Sequence, residues 1–176
     1  MNGEIFAVVN ERDEVIDYRP RAEIHRLHLR HRATHIWVFN HRKEVLLQKR
    51  SLRKDCSPGL WDSSAAGHVD RGEDYDACAQ RELHEELGVE ASPSMLRRWF
   101  KIDACAATGW EFVWVYGCRA EGPFRHNADE IDALRWLALE QLSQSLQREP
   151  ASYSGTVPLI LDRLLRGPAL LESMDL

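Results

Sequence analysis

From Asp74 to Leu87 the chain runs fourteen residues without Gly or Pro, rich in Ala, Leu, Glu, Gln and Arg, and Gly88 follows at once. Residues of that kind favour a helix, and a glycine just past its end supplies the left-handed turn that stops one. Glu82, Glu85 and Glu86 stand at i, i+3 and i+4, inside an arc of about 100°. Leu83 and Leu87 point to another flank, so the helix must lay leucines on an apolar surface while three carboxylates crowd together beside it. Such crowding is repulsive unless a cation sits between the groups, and a hard divalent ion with oxygen ligands suits it best. A solvated acidic face is the alternative reading of the triplet alone.

Strand-like segments supply the surface for that helix. Glu4 to Val9 and Val15 to Tyr18 read as two strands around a turn. ATHIWVFN (33–40) and VLLQKR (45–50) read as a hairpin joined by His41-Arg-Lys-Glu. Met95–Ile102, Trp110–Cys118 and Ile131–Leu137 read as further strands. Arg21 to Leu29, Leu139–Leu146 and Val157–Leu165 read as helices. Helices interspersed among strands make the fold class α/β or α+β, with a mixed sheet.

The 176 residues are 44% hydrophobic, enough for a buried core, and no linker or repeat divides them, so a single domain over 1–176 is expected. No apolar run reaches spanning length, and MNGEIFAVVNERDE lacks the basic and apolar regions of a secretory signal. Cys56, Cys78, Cys105 and Cys118 form no CxxC pair and read as free thiols in the cytoplasm. The net charge of −5 is uneven: Arg19 to Lys54 hold eleven Lys/Arg against two acids. A basic stretch beside an acidic remainder suits an anionic substrate brought to a metal, or else is a solvated surface. The pI near 5.9 argues against nucleic acid as the partner.

Residues 67–89 read GHVDRGEDYDACAQRELHEELGV. They resemble the Nudix box of the Nudix hydrolases, GX5EX7REUXEEXGU with U aliphatic. Gly67, Glu73, Arg81, Glu82, Leu83, Glu85, Glu86, Gly88 and Val89 fill every specified position. By chance this arises on the order of once in ten million such chains. The resemblance implies a Nudix-type α/β/α sandwich with a mixed β-sheet. It also implies metal-dependent hydrolysis of a nucleoside diphosphate linked to another moiety, a pyrophosphatase reaction by water attack at phosphorus. In that case Mg²⁺ or Mn²⁺ is held by Glu82, Glu85, Glu86 and the Gly67 carbonyl, with Arg81 orienting the carboxylates and Glu73 bracing the loop. Glu130 stands where many members place a further glutamate, a general base or extra ligand; a solvated turn is the alternative. Arg50, Arg53 and Lys54 follow a strand and precede the box, within reach of the substrate's phosphates unless they are only loop charge.

A narrower resemblance, to the isopentenyl diphosphate isomerase branch of the fold, rests on HRATHIWVFN (31–40), LWDSSAAGH (60–68) and WEFV (110–113). It implies a possible additional metal at His31, His68 and Glu111. The branch needs a catalytic cysteine immediately before the Gly-His pair, where Ala66 stands; alanine neither gives nor takes a proton. Cys56, ten residues upstream, is a poor substitute. His25, His28, His31 and His35 could form a zinc site, but a basic surface entering a strand is the plainer reading. Trp110 and Trp114 read as two strand residues on one face, where one could stack on a base and core packing is the favoured alternative. The expected protein is therefore a cytoplasmic Nudix pyrophosphohydrolase acting on a small-molecule diphosphate, with the N-terminal strand pair available to a homodimer. An isomerase, or a nucleotide-binding sensor without catalysis, are the competing functions.

Overall fold

The computed structural model describes residues 4–167 and 169–172. The elements run β1 (Ile5–Val9), β2 (Val15–Pro20), α1 (Arg21–Leu27), β3 (His31–Phe39), β4 (Glu44–Arg50), β5 (Trp61–Asp62), β6 (Ala65–His68) and α2 (Tyr75–Leu87). They continue with β7 (Leu96–Ile102), β8 (Glu111–Arg119), β9 (Ile131–Ala138), α3 (Leu139–Arg148), α4 (Thr156–Arg166) and α5 (Ala169–Glu172). In α2, Asp74 is the N-cap, its side chain accepting from the Ala77 amide at 2.8 Å, and Gly88 takes the left-handed C-cap conformation at φ 68°.

β3 lies at the centre of a seven-stranded mixed sheet. It runs parallel to β8 over nine registered pairs and antiparallel to β6, while β7 extends the sheet beyond β8. The expected β3–β4 hairpin exists only at its base, where Phe39 faces Val45. Past that point β4 pairs with β9 and β5 instead. Both strands are apolar on both faces, so each gains more between two neighbours than as one arm of a hairpin. β5 and β6 gave no signal in the sequence: β5 is only two residues long, and the four residues of β6 are Ala, Ala, Gly and His rather than branched side chains.

Apolar layers cover both faces. Ile36, Val38, Leu46 and Tyr116 pack against Cys78, Ala79, Leu83 and Leu87 of α2. Trp37, Val45, Leu47 and Val115 pack against Leu142 of α3 and Val157, Ile160 and Leu164 of α4. The result is an α/β/α sandwich with a mixed sheet, as the box resemblance implied. No helix among the described residues is long and apolar enough to cross a membrane.

One side chain helps tie the β1–β2 hairpin to this body, beside backbone bonds from the Val9 amide to the Arg30 carbonyl and from the Arg71 amide to the Ile5 carbonyl. Asp13, in its turn, accepts from Arg32 Nε at 2.6 Å, from Tyr75 Oη of α2 at 2.9 Å, and from Lys101 Nζ of β7. Its side chain is 9% exposed, so removing it leaves two sheltered cations without a counter-charge. Asp13→Ala is expected to lower stability by about 3 kcal/mol in urea unfolding. A loss under about 1 kcal/mol would mean that these contacts behave like a solvated surface pair.

Candidate active site

The sheet and helices border a cavity of about 380 Å³, and the box forms one of its walls. There Gly67 of β6 crosses α2 so closely that a Cβ would fall 1.9 Å from Glu82 Oε1. Only glycine permits that approach. Glu86 is 1% exposed and accepts from the Ala66 amide at 2.9 Å and from Gln48 Nε2 at 2.8 Å. Burial raises the Glu86 carboxyl to about 8, reinforced by the neighbouring Glu82 charge, and raises Glu82 to about 7 against the pull of Arg81. Glu85 is the exposed member of the three.

Arg81 ties this wall together. Its Nε and Nη2 grip both oxygens of Glu73 at 2.9 and 2.8 Å. Nη1 donates to Glu82 at 2.6 Å and to Glu85 at 3.2 Å, and Nη2 also reaches the His68 carbonyl at 3.0 Å. Glu73 in turn accepts from the Asp70 amide at 3.1 Å, closing the loop that leads into the helix.

The basic stretch turns out to be largely paired with acids: Arg19 with Asp17, Arg30 with Glu11, Arg32 with Asp13 and Arg42 with Glu44. Arg50 and Lys54 line the cavity, as does Arg21. Lys54 Nζ donates to Glu130 Oε2 at 2.6 Å, and both residues line the cavity. Arg53 is a correction. It lies outside the cavity lining and donates at 2.5 Å to Asp129, both side chains being largely exposed. Arg50 at the end of β4 and Lys54 in the turn after it face the cavity while Arg53 faces solvent, a difference that the run of basic residues did not reveal. No tryptophan lines the cavity either: Trp114 packs beside Tyr75, and Trp110 sits at positive φ before β8 begins, so the two do not share a strand.

Next to the carboxylates, His31, His68 and Glu111 converge from β3, β6 and β8. His68 Nε2 donates to Glu111 Oε1 at 2.9 Å, and His31 Nε2 lies 3.5 Å from the same oxygen. His25, from α1, completes the group with ring centroids 5.2 Å from His31 and 5.1 Å from His68. His31 Nδ1 donates to the Leu29 carbonyl at 2.9 Å, which leaves the Nε2 lone pair facing the cluster. Nε2 of both His25 and His31 is buried without a hydrogen-bond partner. Burial, with neighbouring imidazoles, lowers His25 to about 4 and also lowers His68. Glu111 is held well below the ordinary carboxylate range because the two histidines outweigh its burial. Imidazole nitrogens around a carboxylate make a donor set for a metal. His25 was missed as a member of this group because only the fold of α1 against β1 and β3 brings it there. His25, His28, His31 and His35 do not gather as one four-histidine group, the less favoured reading of their spacing: His35 hydrogen-bonds Ser63 and His28 closes α1 as its left-handed C-cap. Cys56 does line the cavity, its Sγ 3.2 Å from His25 Nδ1, with burial holding the thiol protonated.

Residues 29–158 match the NUDIX domain family. The chain is 36% identical over 144 residues to a Nudix hydrolase of Pseudomonas aeruginosa, covering 80% of this chain and 84% of that one. It is 34% identical over 136 residues to a Nudix hydrolase of Yersinia pestis, covering 77% and 74%. Among solved structures, a Deinococcus radiodurans protein superposes with a TM-score of 0.78 at 28% identity, over 91% of this chain and 98% of that one. A NUDIX domain of Shewanella oneidensis, solved with ADP ribose, shares the fold at a TM-score of 0.52 and 20% identity, over 64% and 75%. The chain therefore belongs to the Nudix hydrolase family, divalent-metal-dependent enzymes that hydrolyse phosphoanhydride bonds in nucleoside diphosphate-linked substrates.

Proposed function

We propose that this enzyme is a pyrophosphohydrolase using Mg²⁺ or Mn²⁺, in which water attacks phosphorus of a nucleoside diphosphate derivative. The observation that carries the reading is the pair of buried carboxylates, Glu82 pressed against Gly67 and Glu86 bonded to the Ala66 amide, beside a cavity that Arg50 and Lys54 also line. The oxygen donor set fits a hard divalent cation: Glu82, Glu85, Glu86 and the Gly67 carbonyl would hold it. When bound, the ion supplies charge neutralisation on the diphosphate and activation of water. Arg50 and Lys54 bind the phosphates, Arg81 keeps the glutamates in register, and Glu130 Oε2, steadied by Lys54, accepts the proton of the attacking water. We assign a second cation to His31, His68 and Glu111 with His25, because two buried imidazole nitrogens there have no hydrogen-bond partner.

We also read residues 1–176 as one domain. The four free thiols suit a reducing cytoplasm, and β2, exposed along its length, is the strand a homodimer would use. Intact glutamates count against a sensor without catalysis, which needs no such set. The test is a panel of nucleoside diphosphate derivatives with Mg²⁺ or Mn²⁺ in ¹⁸O-water. Label appearing in one phosphate product supports the reading; no hydrolysis of any member sinks it. Isopentenyl diphosphate should yield no dimethylallyl diphosphate above the enzyme-free control, since Ala66 has no proton to give.

A further inference from the structure

Away from the glutamates the cavity has a second polar wall that the reaction does not use. Asp62 of β5 is 4% exposed, and His35, Ser154 and Thr156 beside it are buried to a similar degree. All four line the cavity. Asp62 Oδ1 accepts from the Ser63 amide at 2.8 Å and from Ser154 Oγ at 2.7 Å. Oδ2 meets only Arg50 Nη1, at 3.5 Å, and so keeps acceptor capacity on the side of a phosphate-binding cation. His35 is fixed through Nδ1 by Ser63 Oγ at 2.8 Å, leaving Nε2 as the nitrogen it can offer. Ala33, Ala66 and Gly155 give this wall its open space. The aromatic ring at the cavity, Phe6, is already stacked on His68 at 4.7 Å. The wall thus has no free stacking platform for a base, but it has a sheltered carboxylate flanked by a hydroxyl and an imidazole.

Asp62 also lies close to the chemistry. It stands opposite Gln48 in the β4–β5 ladder, and Gln48 donates to Glu86. The adjacent Arg50 offsets its charge, so an incoming diphosphate is not repelled.

We propose that Asp62, with His35 and Ser154, forms a subsite for a vicinal diol on the group attached to the diphosphate. A carboxylate oxygen accepting from paired hydroxyls is the usual way a protein grips a ribose. This subsite rests on the pyrophosphohydrolase reading for its diphosphate, and its test does not depend on hydrolysis.

The experiment is equilibrium binding with Mg²⁺, by calorimetry, of ADP, 2′,3′-dideoxyADP and glucose 1-phosphate to the wild-type protein and Asp62→Asn. Charge-assisted hydrogen bonds in a sheltered site predict that wild type prefers ADP over the dideoxy form by about tenfold or more, falling to about twofold or less in the variant. Equal binding of the two nucleotides, with glucose 1-phosphate weakened about tenfold by Asp62→Asn, places the diol on a sugar other than the nucleoside ribose. A preference that survives Asp62→Asn, a variant that changes none of the three, or a wild type that binds none of them overturns the subsite. Should Asp62→Asn fail to fold, Ser154→Ala decides: an ADP preference reduced about threefold supports the subsite, and an unchanged preference overturns it. A diol preference without hydrolysis of the nucleotide panel would leave the subsite standing and remove the proposed reaction.

Discussion

Glu86→Gln is expected to lose about a hundredfold or more in metal-dependent hydrolysis and, without metal, to be more stable than wild type at pH 8. The two effects share one cause. Glu86 is buried beside Glu82, and both carboxyls are raised, mainly by burial. An acid whose folded pKa exceeds its unfolded value holds its proton longer in the folded state. The folded protein therefore binds more protons than the unfolded chain above about pH 4.5, and stability falls as pH rises toward the raised values. Removing one of the two charges should recover about 2–3 kcal/mol at pH 8 and little at pH 5. Mg²⁺ should stabilise wild type by about 2.7 kcal/mol at a hundredfold excess over its dissociation constant, and the variant by much less. Glu85→Gln separates the effects, because Glu85 is exposed: activity should fall similarly while stability stays within about 0.5 kcal/mol. Urea unfolding at both pH values, with and without Mg²⁺, gives the answer. Near-normal rates in both variants would end the metal assignment, and a destabilised Glu86→Gln would end the electrostatic account.

The glutamates of α2 were legible because a capped helix fixes relative side-chain positions within a few residues. Asp74, Gly88 and the i, i+3, i+4 spacing stand in the sequence itself. The α/β or α+β class was legible for a related reason, since the strand and helix periods differ, whereas the layered sandwich was implied by the resemblance of residues 67–89 to the Nudix box. What stayed hidden depends on tertiary placement. His25 joins His31 and His68 only because α1 folds back over β1 and β3. Asp13 reads as one more turn residue until the hairpin docks and buries it among Arg32, Tyr75 and Lys101. Arg53 and Lys54 are neighbours of like charge, yet one faces solvent and the other the cavity, a difference set by the turn after β4. Asp62 sits in a two-residue strand with no pattern to reveal it, and its environment comes from a serine 92 positions away.

Arg81 carries the second large effect. Arg81→Ala is expected to cost about a hundredfold or more in hydrolysis and about 2–3 kcal/mol in stability, because it strips the counter-charge from three glutamates at once. Lysine should recover little of either loss. The guanidinium presents Nε and Nη2 as a fork to both oxygens of Glu73 while Nη1 serves Glu82 and Glu85, and a single ammonium cannot reach these acceptors together. The pH dependence identifies the stability effect. Glu73 is held below its ordinary value because Arg81 and the Asp70 amide outweigh its burial. A depressed carboxyl stabilises the fold above its unfolded pKa, and that stability is lost as pH falls through the folded value. The gap between wild type and Arg81→Ala should therefore be full at pH 7 and narrow toward pH 3. Denaturation across that range, with single-turnover rates for both variants, tests it. If Arg81→Lys retains wild-type rates within about threefold, the fork is not what positions the glutamates, and charge alone at residue 81 is enough.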